Sequence, residues 1–272
     1  MLRRILFPID MTDFSKEALR WLSQRALLHQ SDILVVHVVS PSAGIHTPQL
    51  VQETETALND FCLQSIPEEL FYKVMVAAGD PLKIIPEIAV SEKCTFAVLP
   101  AQNVAEITPL VRRLALPQLI LRSKDGVFPG GDIYKNIAVA IDLSPGRTDA
   151  MLNELRDIIS QSGSTPHLTL VHGVPLDDAE DSQVLINAAE GALEVVAQDV
   201  SQWNPDTSFQ VVSGEPEVEL PLWIKNTDPS LLVVGLSTQR ELWQLIIFGS
   251  TGNNETRFIV QNPLLRGQRV PF

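Results

Sequence analysis

The sequence predicts an α/β protein built from two tandem domains, each a parallel sheet flanked by helices. Short apolar runs alternate with stretches of helical spacing along the whole chain. Such regular alternation implies parallel strands joined by right-handed crossovers. The alternation breaks once, at Lys124-Asp125-Gly126-Val127-Phe128-Pro129-Gly130-Gly131, a glycine- and proline-rich linker. It then restarts with the same landmarks. Asp10 of FPID returns as Asp142 of VAID, 132 residues later. His37 of VVHVV returns as His172 of LVHGV, and Gly79 of AGDP as Gly214 of SGEP, both 135 residues later. Three matches at nearly one offset, each at the same point of a strand–helix unit, mark a duplication with domains at residues 1–124 and 132–272.

In the first copy, Arg4 to Asp10 reads as a short apolar strand ending in an acid. Phe14 to His29 has helical spacing, with Phe14, Ala18, Trp21, Leu22 and Ala26 along one face. Asp32 to Val39 is a buried strand, Thr47 to Ser65 a helix and Tyr72 to Ala78 a third strand. The turn Gly79-Asp80-Pro81 opens a helix that runs to about Lys93. Thr95 to Leu99 is a fourth strand, Glu106 to Ala115 a short helix, and Gln118 to Arg122 the closing strand. In the second copy the acids Asp177, Asp178, Glu180 and Asp181 are expected to begin a helix, where the dipole favours negative charge. The last unit spans Ser230 to Thr251. An apolar run, Leu231 to Val234, stops at Gly235, and Gly249-Ser250-Thr251 opens a further helix-like segment. Glycines at a strand end and a helix start let backbone N–H groups approach an anion. The counterpart of the closing strand is expected near Leu264 to Val270.

Composition narrows the function classes. With 45% hydrophobic and 19% charged residues, the chain can fill a core and is not of disordered type. No apolar run approaches a membrane span, and MLRRILFPID is too short in its apolar part for a signal peptide. A cytoplasmic location is expected. The net charge of −13 is uneven: residues 1–131 carry 14 acids and 12 bases, residues 132–272 carry 19 acids and 8 bases. An acidic half repels phosphate backbones, which argues against nucleic-acid binding. Cys62 and Cys94 stand in apolar surroundings and read as buried free thiols. The five histidines form no metal spacing, and no P-loop, G-x-G-x-x-G or Gly-x-Ser-x-Gly motif is present. Trp203, Trp223 and Trp243 read as packing residues.

These residues also carry a resemblance. A strand ending in Asp10 or Asp142, a hydroxyl residue two places on (Thr12, Ser144), a strand reading L-V-H-V and a G-[DE]-P turn together resemble the universal stress protein family, twice over. The resemblance implies tandem Rossmann-like (adenine nucleotide alpha hydrolase-like) domains with strand order 3-2-1-4-5. In such a sheet a ligand binds beyond the carboxyl ends of strands 1 and 4, where the order reverses. Asp142 and Gly235 are then the expected crevice residues of the second domain, and Asp10 and Pro100 those of the first.

The departures from the family pattern shape the functional expectation. ATP-binding members carry glycine, two residues, glycine, nine residues, then glycine and Ser or Thr. Gly235 fits the first position, but Thr238 replaces the second glycine and Gly249 arrives one residue late. A β-branched residue resists the φ > 0 that glycine permits. In the first domain Pro100 follows the fourth strand directly, and no glycine stands between it and the closing strand. The expectation is a non-enzymatic stress-response regulatory or interaction protein with degenerate nucleotide sites. Its alternative is an ATP-binding member with one working site in domain 2, formed by Asp142, Gly235, Gly249, Ser250 and Thr251. A ligand, if held, is ATP or another adenine nucleotide, bound weakly; no metal is expected. The expected partners are the two domains as an internal pseudo-dimer, further homodimerisation, and an unidentified protein. An enzyme such as a pyrophosphatase-type ligase or a flavoprotein subunit is disfavoured by the lack of an S-G-G-x-D-S loop.

Overall fold

A computed structural model of the 272-residue chain describes residues 3–24, 31–40, 47–102, 104–122, 128, 131–175, 182–235 and 257–261. The chain forms two compact units, Met1–Gly130 and Gly131–Phe272. The first contains β1 (Arg3–Pro8), α1 (Asp13–Ser23), β2 (Ser31–Val39), α2 (Thr47–Ser65), β3 (Tyr72–Ala78), α3 (Pro81–Ser91), β4 (Phe96–Ala101), α4 (Val104–Arg113) and β5 (Gln118–Arg122). The second contains β6 (Asn136–Ala140), α5 (Pro145–Ser162), β7 (His167–Val174), α6 (Ser182–Ser201), β8 (Thr207–Ser213), α7 (Pro216–Thr227), β9 (Leu231–Gly235) and β10 (Arg257–Gln261).

Within the first unit the strand order is β3-β2-β1-β4-β5, and within the second β8-β7-β6-β9-β10. The strands are parallel in both. The two sheets therefore repeat one topology, 3-2-1-4-5. Their central strands are buried on both faces, which explains the unbroken apolar runs: Ile5, Leu6 and Phe7 of β1, Leu34 and Val35 of β2, and Leu231 to Val234 of β9 are all at most 2% exposed. The register repeats as well. Arg4 pairs with Asp32 and Leu34 with Lys73, as Asn136 pairs with His167 and Thr169 with Ser208.

The recurring G-[DE]-P turns have one cause. Gly79 has φ +142° and Gly214 φ +126°, a region that side-chain-bearing residues avoid, and a Cβ there would meet Ile84 at 2.8 Å or Glu219 at 2.7 Å. The next residue enters the helix and proline follows at its first turn. Asp80 caps α3 through its carboxylate, accepting from the Leu82 N–H at 3.0 Å, while Glu215 makes no side-chain cap bond.

At the amino ends of β1 to β3 the first unit is closed by charge. The Arg4 guanidinium meets Asp32 Oδ2 at 2.7 Å and Glu92 Oε2 at 3.2 Å, and Lys73 Nζ meets Glu92 Oε1 at 2.7 Å. On α1 of the same unit, the ring of Phe128 rests 5.8 Å from Phe14 and 5.6 Å from Trp21, centroid to centroid.

Several expected boundaries move. The first strand ends at Pro8, and Asp10 lies in the turn after it. The closing strand of the second unit is Arg257–Gln261, ahead of the expected Leu264 to Val270 segment, which lies outside the described residues. The helix α6 is described from Ser182, and the acids Asp177 to Asp181 also lie outside the described residues.

Candidate functional site

In both units the crevice begins at the turn that leaves the first strand. Met11 has φ +66° and Leu143 φ +55°, so a non-glycine residue is held in the left-handed region at the same place twice. Such a conformation costs about 1–3 kcal/mol and persists only where surrounding contacts hold it. Here they are the same two. The Asp10 carboxylate accepts from the Thr12 N–H at 3.0 Å, and the Asp142 carboxylate accepts from the Ser144 N–H at 3.0 Å. Behind the turn, a histidine Nδ1 bonds the carbonyl that precedes each aspartate: His37 to Ile9 at 2.6 Å and His172 to Ile141 at 2.7 Å. Donation from Nδ1–H to the carbonyl gives both histidines a structural role in fixing the exit of the first strand.

The two turns complete their hydrogen bonds differently. In the first unit the Thr12 hydroxyl donates to Asp10 at 2.6 Å and accepts from the Ser15 N–H at 3.3 Å, so it serves the aspartate and caps α1 together. Burial pushes the Asp10 carboxyl up, but hydrogen bonds from Ser15 and Thr12 outweigh it and hold the group below its ordinary value. In the second unit Ser144 makes no side-chain cap bond. Its place is taken by Arg147, whose Nη2 lies 2.6 Å from Asp142 Oδ2. Arg147 stands five residues after Asp142, where Ser15 stands after Asp10. Its Nε is buried and has no partner among the described residues.

Asp142 and Gly235 are brought together at the carboxyl ends of neighbouring strands, since Ala140 of β6 pairs with Val234 of β9. Gly235 ends β9 with open space around it: among the described residues, a Cβ there would meet nothing within 4 Å. Gly235 is not among the described glycines with a positive φ. Gly249, Ser250 and Thr251 lie outside the described residues, as do Thr238 and Arg240. In the first unit Pro100 is a half-buried member of β4, paired with Leu121 of β5, and it presents no N–H at that strand end.

Elsewhere, Cys62 and Cys94 are free and buried, and burial pushes their thiols up to about 12 and about 11. Among the described residues, no group of three or more His, Cys, Asp or Glu side chains is arranged to hold a metal ion. No described helix is long and apolar enough to cross a membrane.

Comparison with known proteins agrees with this architecture. A universal stress protein from Archaeoglobus fulgidus DSM 4304 superposes with a TM-score of 0.66 at 17% identity, covering 95% of this chain and 96% of its own. A functionally unknown protein from Pseudomonas aeruginosa PAO1 gives a TM-score of 0.64 at 13% identity, covering 96% of this chain and 93% of its own. At these identities the likeness is one of fold. No curated protein matches the chain significantly. The model of the universal stress protein family matches twice, over residues 1–114 and 133–254. With the repeated Asp turn, histidine clasp and G-[DE]-P turn in place, the chain belongs to the universal stress protein family as a tandem, two-copy member.

Proposed function

We propose that this chain is a non-catalytic stress-response interaction protein whose two nucleotide crevices are degenerate. The observation that carries this reading is the state of the two aspartates. Asp142 already has one carboxylate oxygen on the Ser144 N–H and the other on Arg147, and Asp10 is engaged by both the N–H and the hydroxyl of Thr12. A ribose or adenine group would have to displace these partners. The first unit also lacks a glycine N–H at Pro100, and in the second Thr238 and the late Gly249 displace two phosphate donors. Each charge-assisted bond is worth about 1.5–3 kcal/mol. Losing two turns a micromolar site into a roughly millimolar one.

One observation favours a second reading, a working adenine-nucleotide site in the second unit alone. The Arg147 cation on Asp142, at the carboxyl ends of the paired strands β6 and β9, suits a phosphate there. Mass spectrometry of the purified protein for retained nucleotide, followed by calorimetric titration with ATP, separates the two. Millimolar or undetectable binding supports the degenerate reading, and micromolar binding at one site per chain supports the second. Tight binding at two sites per chain overturns both, because the glycine-free first crevice would then have to hold phosphate.

A further inference from the structure

The second unit has a cavity at the amino ends of its strands, on the opposite side of the sheet from the carboxyl-end crevice. Its volume is about 370 Å³, within the roughly 300–1,000 Å³ typical of small-molecule sites. Ile137 and Ala138 of β6 form its buried floor, and Trp223 of α7 forms a wall. We propose that this cavity binds a neutral, hydroxyl-rich small molecule of one or two sugar rings, at a site distinct from the nucleotide crevice.

The duplication itself supplies the argument. The strand register matches Asn136, His167 and Ser208 of the second unit to Arg4, Asp32 and Lys73 of the first, and the 135-residue offset matches Thr227 to Glu92. In the first unit those four side chains join in one part-exposed ion network. In the second, every one is replaced by a shorter or uncharged group, and the space is open. The same fold therefore carries an ion network in one copy and a cavity at the matching residues of the other.

The exposed groups define what fits. His167 Nδ1 pairs with Asp206 Oδ1 at 2.9 Å, which orients the ring. Its Nε2 then faces two hydroxyls, Thr169 at 3.4 Å and Ser208 at 3.5 Å, contacts too long to be strong. These two hydroxyls lie 3.1 Å apart. Trp223 Nε1 donates to Gln210 Oε1 at 2.8 Å, leaving that amide's nitrogen to serve as a donor. The remaining polar groups of the lining are hydroxyls, amides and an indole, with no carboxylate among them; Asp206 stands behind His167 and is paired with it. Neutral donors and acceptors beside an aromatic wall match a sugar ring, with its apolar C–H face and its edge of hydroxyls. A free anion is a poor match, because residues 132–272 carry 19 acids against 8 bases. Trp223, which the sequence assigns to packing, is here only partly buried and borders the cavity.

The test uses the full chain with D-glucose, maltose and myo-inositol as probes. Saturation-transfer NMR and tryptophan fluorescence read the binding. At least one probe gives a saturable signal that excess ATP leaves unchanged, which also keeps this result separate from the nucleotide titration. Rebuilding the ion network of the first unit, by Asn136→Arg, His167→Asp, Ser208→Lys and Thr227→Glu together, weakens that binding about tenfold or more. Circular dichroism verifies that the variant folds. Where it does not, Trp223→Leu supplies the same comparison and also removes the fluorescence response. Absence of a saturable signal from all three probes overturns the proposal, as does equal binding by wild type and a folded ion-network variant.

Discussion

Replacing Thr12 by alanine removes one hydroxyl that performs two tasks. It caps α1 through the Ser15 N–H at 3.3 Å and donates to the Asp10 carboxylate at 2.6 Å. Loss of an N-cap costs about 1 kcal/mol. A hydrogen bond to a charged group adds about 1.5–3 kcal/mol when shielded. Asp10 is exposed, so screening reduces that second part to below about 1 kcal/mol. The expected loss is about 1–2 kcal/mol. For units of this size that lowers the melting temperature by about 3–5 °C per kcal/mol. The control lies in the same chain. Ser144 occupies the equivalent position but makes no side-chain cap bond, so Ser144→Ala should change stability by less than about 0.5 kcal/mol. Calorimetry, with hydrogen exchange resolved between α1 and α5, reports the two effects separately. The sign of the pH dependence is also fixed. A carboxyl held below its ordinary 3.8 stabilises the fold at higher pH and loses that contribution as pH falls through its folded value. The gap between wild type and Thr12→Ala is therefore widest near neutrality and narrows below about pH 4, leaving the cap's share. Equal losses from Thr12→Ala and Ser144→Ala would refute the reasoning, since the two turns would then be held in the same way.

Two further outcomes follow from buried groups. Cys62 and Cys94, with thiols pushed up to about 12 and about 11, should resist a thiol-specific reagent in the native protein and react at full stoichiometry after denaturation. Asn204 is 1% exposed and its Nδ2 donates to Pro166 O at 3.1 Å, Asp206 O at 3.1 Å and Thr207 Oγ1 at 3.2 Å. Asn204→Ala should cost about 1–3 kcal/mol, measured by chemical denaturation, because the Pro166 carbonyl stays buried without its donor and the other two acceptors stay part-buried.

What the sequence made legible was periodic or local. The runs LVV and LLVV read as two-faced buried strands, and Gly79 and Gly214 served as repeated turn landmarks, whose positive φ the structure adds. The repeated Asp, His and Gly landmarks therefore located both sheets. The partner of Asp142 was missed, although a local signal existed: Arg147 replaces Ser15 at the fifth place after the aspartate. The contrast between ion network and cavity was harder to see. Arg4 and Glu92 are 88 residues apart, and only the strand register brings them together. The closing strand was misplaced because RFIVQ has just three apolar residues between polar ends, although it stands nearer the repeat spacing, 139 residues after Gln118 against 146 for Leu264.

The contact of Phe128 with Phe14 and Trp21 changes where one gene segment can be parted from the other. A ring set between Gly126 and Gly130 of the connector is spent on the helix of the preceding unit. The connector is thus not neutral rope at Phe128, which belongs with the first copy. A shortened chain ending at Lys124 leaves α1 without that aromatic lid, whereas one ending at Gly130 keeps it. Recombination, whether by evolution or by design, should therefore transplant this module together with its trailing phenylalanine.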